Sequence, residues 1–242
     1  MAENRASAYT EGVPCWVDAQ LPDTAAGRRF YGALFGWTFE EKEAYGGSVL
    51  ALLEGQPVAA LTPKSDGRMP TVWTVYFAAP DLGALAARIR AGGGQIVGEA
   101  RQVGRYGTAV PAADPEGAVF GLWQPGRHAG FGVRRRPGGF GWAQLYTRDT
   151  EAADTFYGGL FHEALFGRDA RPEFGRAPVA DVFPAEMPPH FVVHFLVEGV
   201  GAALDTVVRL GGRVQVPPFE TSYATVAVVV DDQGASFAVM ER

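Results

Sequence analysis

The sequence predicts an α+β protein made of four βαβββ modules, two in each of two copies of one unit. Three observations predict this class: an ordered internal repeat, a recurring order of strand, helix and several short strands, and enough apolar residues for full cores. Hydrophobic residues make up 47% of the 242 residues and charged residues 20%. That is a normal globular composition.

Five segments recur in the same order, which indicates a duplication. DTAAGRRFYGALF from Asp23 returns as DTEAADTFYGGLF from Asp149, an offset of 126. The other matches are CWVDAQL with GWAQLYT, PVAALTP with PVADVFP, VYFAAPDLGALAARIRAGG with VHFLVEGVGAALDTVVRLGG, and AADPEGAVFGL with VVDDQGASFAV. The offset falls to about 117 at the end, so we expect deletions in the second copy. The predicted domains are 8–125 and 138–242, joined by a linker over 126–137 in a Gly- and Pro-rich stretch.

The first module begins with a strand over about 13–20. Asp23 is a typical N-cap for the following helix, which carries Phe30 and Leu34 one turn apart. The module is completed by short strands near 37–41, 47–53 and 57–62.

The second module begins with a strand over 71–78. Asp81 caps its helix, which we expect to end at Gly92. Three short strands follow, and the last two lie near 106–112 and 118–123. The second copy repeats this order.

Composition excludes several classes of partner. The net charge is −6 without a long basic stretch, so a nucleic-acid groove is not expected. Cys15 is the single cysteine, which suits a reducing cytoplasm. No stretch approaches 18 apolar residues and the N-terminus has no secretory core, so we expect a cytoplasmic protein that does not span a membrane. Monomer and homodimer both stay open.

The repeated motifs resemble the vicinal oxygen chelate superfamily, which includes glyoxalase I, bleomycin-resistance proteins and extradiol dioxygenases. The resemblance is carried by FYGALFGW and FYGGLF, by the helix ends RAGG and RLGG, and by the turns DPEGAVF and DDQGASF. Together these motifs cover nearly the whole chain. The resemblance implies that paired modules curl into two half-open β-barrels around a ligand. It is strongest to tandem actinobacterial members that are loosely labelled glyoxalase-like or hydroxylase.

The metal site of that family is not expected in this chain. Metal-dependent members place His or Glu ligands on the first and last strands of each module, where they bind a divalent ion. Counting from the motifs, these positions fall on Trp16, Ala60, Thr74 and Gly121 in the first copy and on Trp142, Asp181, Val192 and Ala238 in the second. A single carboxylate does not make a site. We therefore predict neither a metal nor a cofactor.

Aromatic and polar side chains are predicted to line the barrels instead. Residues two apart on a strand share a face, so the neighbours of the former ligand positions also point inward. The predicted ligand-binding residues are Trp16, Asp18, Tyr76, Tyr106 and Trp123 in the first copy and Trp142, Gln144, Tyr146, Phe183, Tyr223 and Met240 in the second. Such a set suits a planar, drug-sized molecule. The alternative for each aromatic residue is a place in the plain core.

Asp181 and His194 are the predicted catalytic residues, because a carboxylate and an imidazole on neighbouring strands can transfer a proton. His128, His162 and His190 are interpreted as loop or surface residues.

Three functions stay open. The first is a binding protein for a planar aromatic or hydrophobic metabolite of natural-product resistance or biosynthesis, which the tryptophans favour. The second is a cofactor-free cyclase, isomerase or lyase that acts on a natural-product intermediate such as a polyketide, which the Asp–His pair favours. The third is an interaction module with filled barrels.

Overall fold

The computed structural model describes residues 9–41 and 46–242, and strands dominate over a few helices within them. Residue 8, where the first copy is predicted to begin, lies outside this part. The chain forms two compact units. Unit 1 comprises Met1–Trp16, Val75–Gly130 and Ala143–Phe191, and unit 2 comprises Val17–Thr74, Phe131–Trp142 and Val192–Arg242. Each unit therefore contains residues of both copies, and the domain boundaries 8–125 and 138–242 stay a prediction.

The first copy follows the predicted order of elements. Its strands are β1 (Pro14–Leu21), β2 (Thr38–Glu41), β3 (Val49–Leu53), β4 (Gln56–Pro63), β5 (Val72–Ala78), β6 (Gln95–Ile96), β7 (Arg101–Val103), β8 (Gly107–Ala113) and β9 (Val119–Pro125). Its helices are α1 (Thr24–Phe35) and α2 (Leu82–Ala91). Asp23 and Asp81 accept hydrogen bonds from the first-turn backbone of α1 and α2, as N-caps do. Gly92 is the C-cap of α2, so both caps and this helix end are confirmed.

The second copy is shorter. Its strands are β10 (Phe140–Thr147), β11 (Phe174–Pro178), β12 (His190–Leu196), β13 (Arg213–Glu220), β14 (Thr225–Val230) and β15 (Ser236–Glu241), and its helices are α3 (Thr150–Leu160), α4 (His162–Phe166) and α5 (Val200–Arg209). In its first module, α4 and a loop stand where the first copy has β2 and β3. The deletions that the falling offset predicts lie partly here. None of the described helices is long and apolar enough to span a membrane.

Strand register shows which residues of the two copies correspond. The parallel pair β1–β4 places Asp18 opposite Ala60, and the parallel pair β10–β11 places Gln144 opposite Gly175. Gly175 is therefore the counterpart of Ala60. The sequence match of PVAALTP with PVADVFP, which had assigned that place to Asp181, is wrong because β11 ends at Pro178, the first residue of the second segment.

The last strands correspond in the same way. The parallel pair β5–β9 places Tyr76 opposite Gly121, and the parallel pair β12–β15 places His194 opposite Ala238. Antiparallel pairing continues from these strands, between β8 and β9 and between β14 and β15.

A buried tyrosine–aspartate pair fixes the interior of unit 1. The Tyr157 hydroxyl, on α3, donates to the Asp114 carboxylate at 3.0 Å. That carboxylate also accepts hydrogen bonds from the backbone amides of Glu116 and Ala118 within its own turn. The FYG motif of one copy therefore meets the D-P-E-G turn of the other.

Unit 2 repeats this arrangement with the other two motifs. The Tyr31 hydroxyl, on α1, donates to Asp231 at 2.7 Å, and Asp231 accepts from the amides of Gln233 and Ala235. In addition, the Trp73 indole N–H donates to the Tyr31 oxygen at 2.9 Å.

Aromatic rings surround each pair. In unit 1 the cluster consists of Phe77, Phe120, Tyr157, Phe161, Phe174 and Phe191, and in unit 2 of Tyr31, Phe35, Trp37, Trp73, Phe195 and Phe237. Edge-to-face and offset ring pairs each add about 0.5–1.5 kcal/mol beyond area burial. The two clusters form the helix-side cores of the units.

Candidate functional site

His194 is the most unusual polar residue of unit 2. Its side chain is only 1% exposed, and neither ring nitrogen has a hydrogen-bond partner among the described residues. Burial lowers the pKa of His194 to about 3, so at neutral pH the ring is neutral and offers one donor and one acceptor. Each buried group left without a partner costs about 1–3 kcal/mol.

The sheet face around His194 is otherwise apolar. Phe195 packs against Phe35 and Trp73 in the helix-side core, so alternation directs His194 to the opposite face of β12. Residues directly opposite each other on paired strands share a face. On this basis the face contains His194, Leu196, Val226, Val228, Ala238 and Met240.

Two aromatic residues, Trp142 and Tyr223, lie close in the chain to residues at the Met240 end of these strands. The Met240 sulfur lies 2.7 Å from the position that a Cβ on Gly141 would take, and Trp142 follows directly. The half-buried Trp142 ring lies 5.4 Å from the Tyr223 ring at an angle of 40°. Tyr223 is 39% exposed, so the pair lies near solvent. We call the apolar face around His194, together with the adjoining Trp142–Tyr223 pair, the unit 2 face.

Unit 1 differs, because the chain's own linker contacts its aromatic residues. The His128 ring lies 4.3 Å from the Trp16 ring and 5.8 Å from the Trp123 ring, edge to face in both cases. The Trp123 indole N–H donates to the His128 carbonyl at 2.9 Å. Burial lowers the pKa of His128 to about 4. His128 thus lies in a loop, as one of the two interpretations had it, but its ring is packed against two indoles.

The other predicted residues of the first copy have defined places. The Tyr76 ring covers Gly121, whose hypothetical Cβ would lie 2.1 Å from the ring. Tyr106 lies in the turn between β7 and β8, and its carbonyl accepts from the backbone amide of His128. In unit 2, the buried Asp18 accepts from the Thr62 hydroxyl at 3.2 Å.

Three predicted residues of the second copy lie together in unit 1. Tyr146 contacts Phe183 edge to face at 4.9 Å and stacks with His190 at 5.8 Å. Burial lowers the pKa of His190, and its Nδ1 lies 2.9 Å from the Pro188 carbonyl oxygen. The Gln144 side-chain amide donates to the Leu145 carbonyl at 3.2 Å. His190 is thus half-buried in an aromatic cluster, which its position after two prolines did not indicate.

Asp181 does not lie on a strand. It ends a 3₁₀ turn, Val179–Asp181, and is exposed in unit 1. His194 lies on β12 and belongs to unit 2. The catalytic roles of Asp181 and His194 stay a prediction.

The residues at the former ligand positions do not fit the family's metal ion. Register places Tyr76 and His194, two residues beyond the counted Thr74 and Val192, opposite Gly121 and Ala238. Among these paired residues, only His194 is a common metal ligand. Within 9–41 and 46–242, no three His, Cys, Asp or Glu side chains are grouped to hold a metal ion. One imidazole without further ligands does not hold a divalent ion in this fold.

Comparison with known proteins identifies the family. The profile of the Glyoxalase/Bleomycin resistance protein/Dioxygenase superfamily matches residues 16–122. The chain is also 34% identical over 252 residues to the protein named "Putative glyoxylase CFP32" of Mycobacterium tuberculosis, covering 97% of each chain. This chain belongs to that superfamily. The resemblance inferred from the motifs is therefore confirmed, as is the α+β fold class.

Two further similarities are useful. The Anthracycline biosynthesis protein DnrV of Streptomyces peucetius is 34% identical over 259 residues, covering 96% of this chain and 94% of that protein. The Mn(II)-bound glyoxalase from Novosphingobium aromaticivorans has a TM-score of 0.63 and 15% identity, covering 96% of this chain and 83% of that one. The second similarity shows the fold alone.

Proposed function

We propose that the chain binds a planar, largely hydrophobic small molecule on the unit 2 face without using a metal ion. The observation that carries this proposal is His194, a buried neutral imidazole whose two nitrogens have no partner in the described chain. A ligand hydroxyl or carbonyl group that reaches the imidazole makes the hydrogen bond that the protein does not. Because unmade buried hydrogen bonds are costly, such a ligand gains affinity and orientation from one contact.

The rest of the unit 2 face suits the body of such a ligand. Trp142 and Tyr223 offer ring surfaces near solvent, and Met240 adapts its shape to a bound ring. Leu196, Val226 and Val228 are already buried and make up the apolar wall around Met240. One polar group on an apolar wall is the usual composition of a small-molecule site.

The relative in anthracycline biosynthesis suggests the ligand class. We propose a polycyclic aromatic natural product with ring oxygens, met during its biosynthesis or in resistance to it. Binding is favoured over acid–base catalysis, because a histidine whose pKa is lowered to about 3 is a weak base at neutral pH. No carboxylate among the described residues is hydrogen-bonded to either nitrogen of His194.

The test uses dihydroxyanthraquinone as the probe, with calorimetry and fluorescence as readouts. Trp142→Ala should weaken binding about tenfold or more, because about 1 kcal/mol of stacking and further contact area are lost. His194→Leu should weaken the probe about tenfold and leave the affinity for anthracene, which has no oxygen atom, within about threefold.

Tyr106→Ala is the matched control, since Tyr106 is a half-buried aromatic residue in unit 1. It should leave the affinity unchanged. If only the control loses affinity, the site lies in unit 1. If wild type does not bind the probe, or all three variants bind it like wild type, the proposed site is wrong.

A further inference from the structure

The segment 126–130 of unit 1 contacts Trp16 and Trp123, two aromatic residues that the sequence assigns to ligand binding. His128 enters edge to face against Trp16 and Trp123. Its ring Nε2 is shielded from solvent and has no hydrogen-bond partner among the described residues. The imidazole thus takes the place that a small planar ligand would take between two indoles.

Backbone contacts hold the segment in this position. The amides of Gly126 and His128 both donate to the Tyr106 carbonyl, at 2.8 and 3.0 Å, and the Arg127 amide donates to the Arg105 carbonyl at 3.0 Å. Together with the Trp123 indole bond, these contacts attach the start of the linker to the turn before β8. The position of His128 is therefore fixed by four hydrogen bonds.

Two glycines allow this close approach. A Cβ on Gly126 would lie 2.6 Å from the Arg105 carbonyl oxygen, and a Cβ on Gly130 would lie 2.3 Å from the Cys15 carbonyl oxygen. Gly130 also has a φ of +138°, which side-chain-bearing residues rarely adopt. The sequence on both sides of His128 thus permits the backbone path that brings the ring onto Trp16.

We propose that Trp16 and Trp123 form a ring-binding site in unit 1 whose resident ligand is the imidazole of His128. The site selects a neutral, planar nitrogen heterocycle of imidazole size. While His128 occupies it, the site is closed to ligands from solution. This proposal concerns unit 1 alone and does not depend on the ligand proposed for unit 2.

The test removes the imidazole ring of His128 by substitution and supplies free imidazole in its place. Imidazole is titrated into wild type, His128→Ala and the matched control His162→Ala, whose exposed histidine also belongs to unit 1. At about ten times its dissociation constant, imidazole should raise the melting temperature of His128→Ala by about 3 °C. It should leave wild type and His162→Ala unchanged. His128→Phe, which refills the site with an apolar ring, should also show no response.

Folded His128→Ala that does not respond to imidazole would overturn the proposal, as would an equal response in all four proteins. Wild type supplies a second measurement if His128→Ala does not fold. In side-chain NMR spectra, the His128 resonance is identified by its loss in His128→Phe. It should stay in the neutral form at pH 5 and carry ring-current shifts from the indoles. A His128 ring that is protonated at pH 5 and lacks these shifts would likewise overturn the proposal.

Discussion

In unit 1 the Tyr157 hydroxyl donates to Asp114, and in unit 2 the Tyr31 hydroxyl donates to Asp231. The units thus use corresponding residues for their helix-side cores. On the other side of the strands they differ: Tyr76 lies opposite Gly121 in unit 1, whereas His194 lies opposite Ala238 in unit 2. The duplication kept the residues that hold the helices in place and changed those on the opposite face of the strands. Three experiments examine how far this division holds.

The largest expected effect comes from the tyrosine–aspartate pairs. Tyr31→Phe leaves Asp231 and the Trp73 indole without their partner, whereas Tyr157→Phe affects Asp114 alone. We expect losses in the free energy of unfolding of about 3 kcal/mol and about 2 kcal/mol, respectively. Urea unfolding of the two variants measures both. Equal losses would show that the indole bond of unit 2 adds nothing to its stability.

The next effect concerns the ring that covers Gly121. Gly121→Ala places a methyl group 2.1 Å from the Tyr76 ring, and overpacking of this kind costs about 2 kcal/mol. In a Tyr76→His background, which copies the His–Ala combination of unit 2, the cost should fall below about 0.5 kcal/mol. A double-mutant cycle by urea unfolding measures the coupling. The same cost in both backgrounds would mean that the Tyr76 ring does not limit the size of the side chain at position 121.

The smallest effect is a dependence of stability on pH. Burial lowers the pKa of His194 to about 3 and that of His128 to about 4. The unfolded chain takes up protons near pH 6.5 and the folded chain does not, so stability is full above pH 6.5 and falls as the pH is lowered. Between pH 7 and pH 5.5 each histidine should account for a loss of about 1.3 kcal/mol.

His194→Leu and His128→Phe should each remove the part of this pH dependence that one buried histidine contributes, and His162→Ala should leave the pH dependence unchanged. Measurements of the free energy of unfolding at the two pH values give each contribution. An unchanged dependence of stability on pH in His194→Leu would mean that His194 is protonated in the folded protein. That result would contradict the neutral imidazole on which the unit 2 proposal depends.

The sequence predicted the repeat, the helix caps at Asp23 and Asp81 and the α+β class, because capping and hydrophobic periodicity are local properties. It placed Met240 and His194 on strands, where the structure puts them on one face. The ligand-binding role of Met240 and the catalytic role of His194 stay predictions.

Two features depend on structure that local sequence does not show. Asp181 was misaligned because the third module replaces two strands by α4, so spacing alone no longer gives the register. The burial of the His128 ring was not expected, because its Gly-rich segment has no periodicity. Its place depends on the backbone acceptor of Tyr106, a long-range contact that local sequence does not encode.

The two tyrosine–aspartate pairs close very different lengths of chain. Tyr157 and Asp114 are 43 residues apart, whereas Tyr31 and Asp231 are 200 residues apart. On a ribosome that adds about 10 residues per second, Tyr31 waits roughly 20 s for its partner to be made. Unit 1 is therefore able to close while the chain is still being synthesised. Helix α1 of unit 2 emerges early with its apolar side uncovered, and until the last strands leave the exit tunnel it is a natural substrate for chaperones.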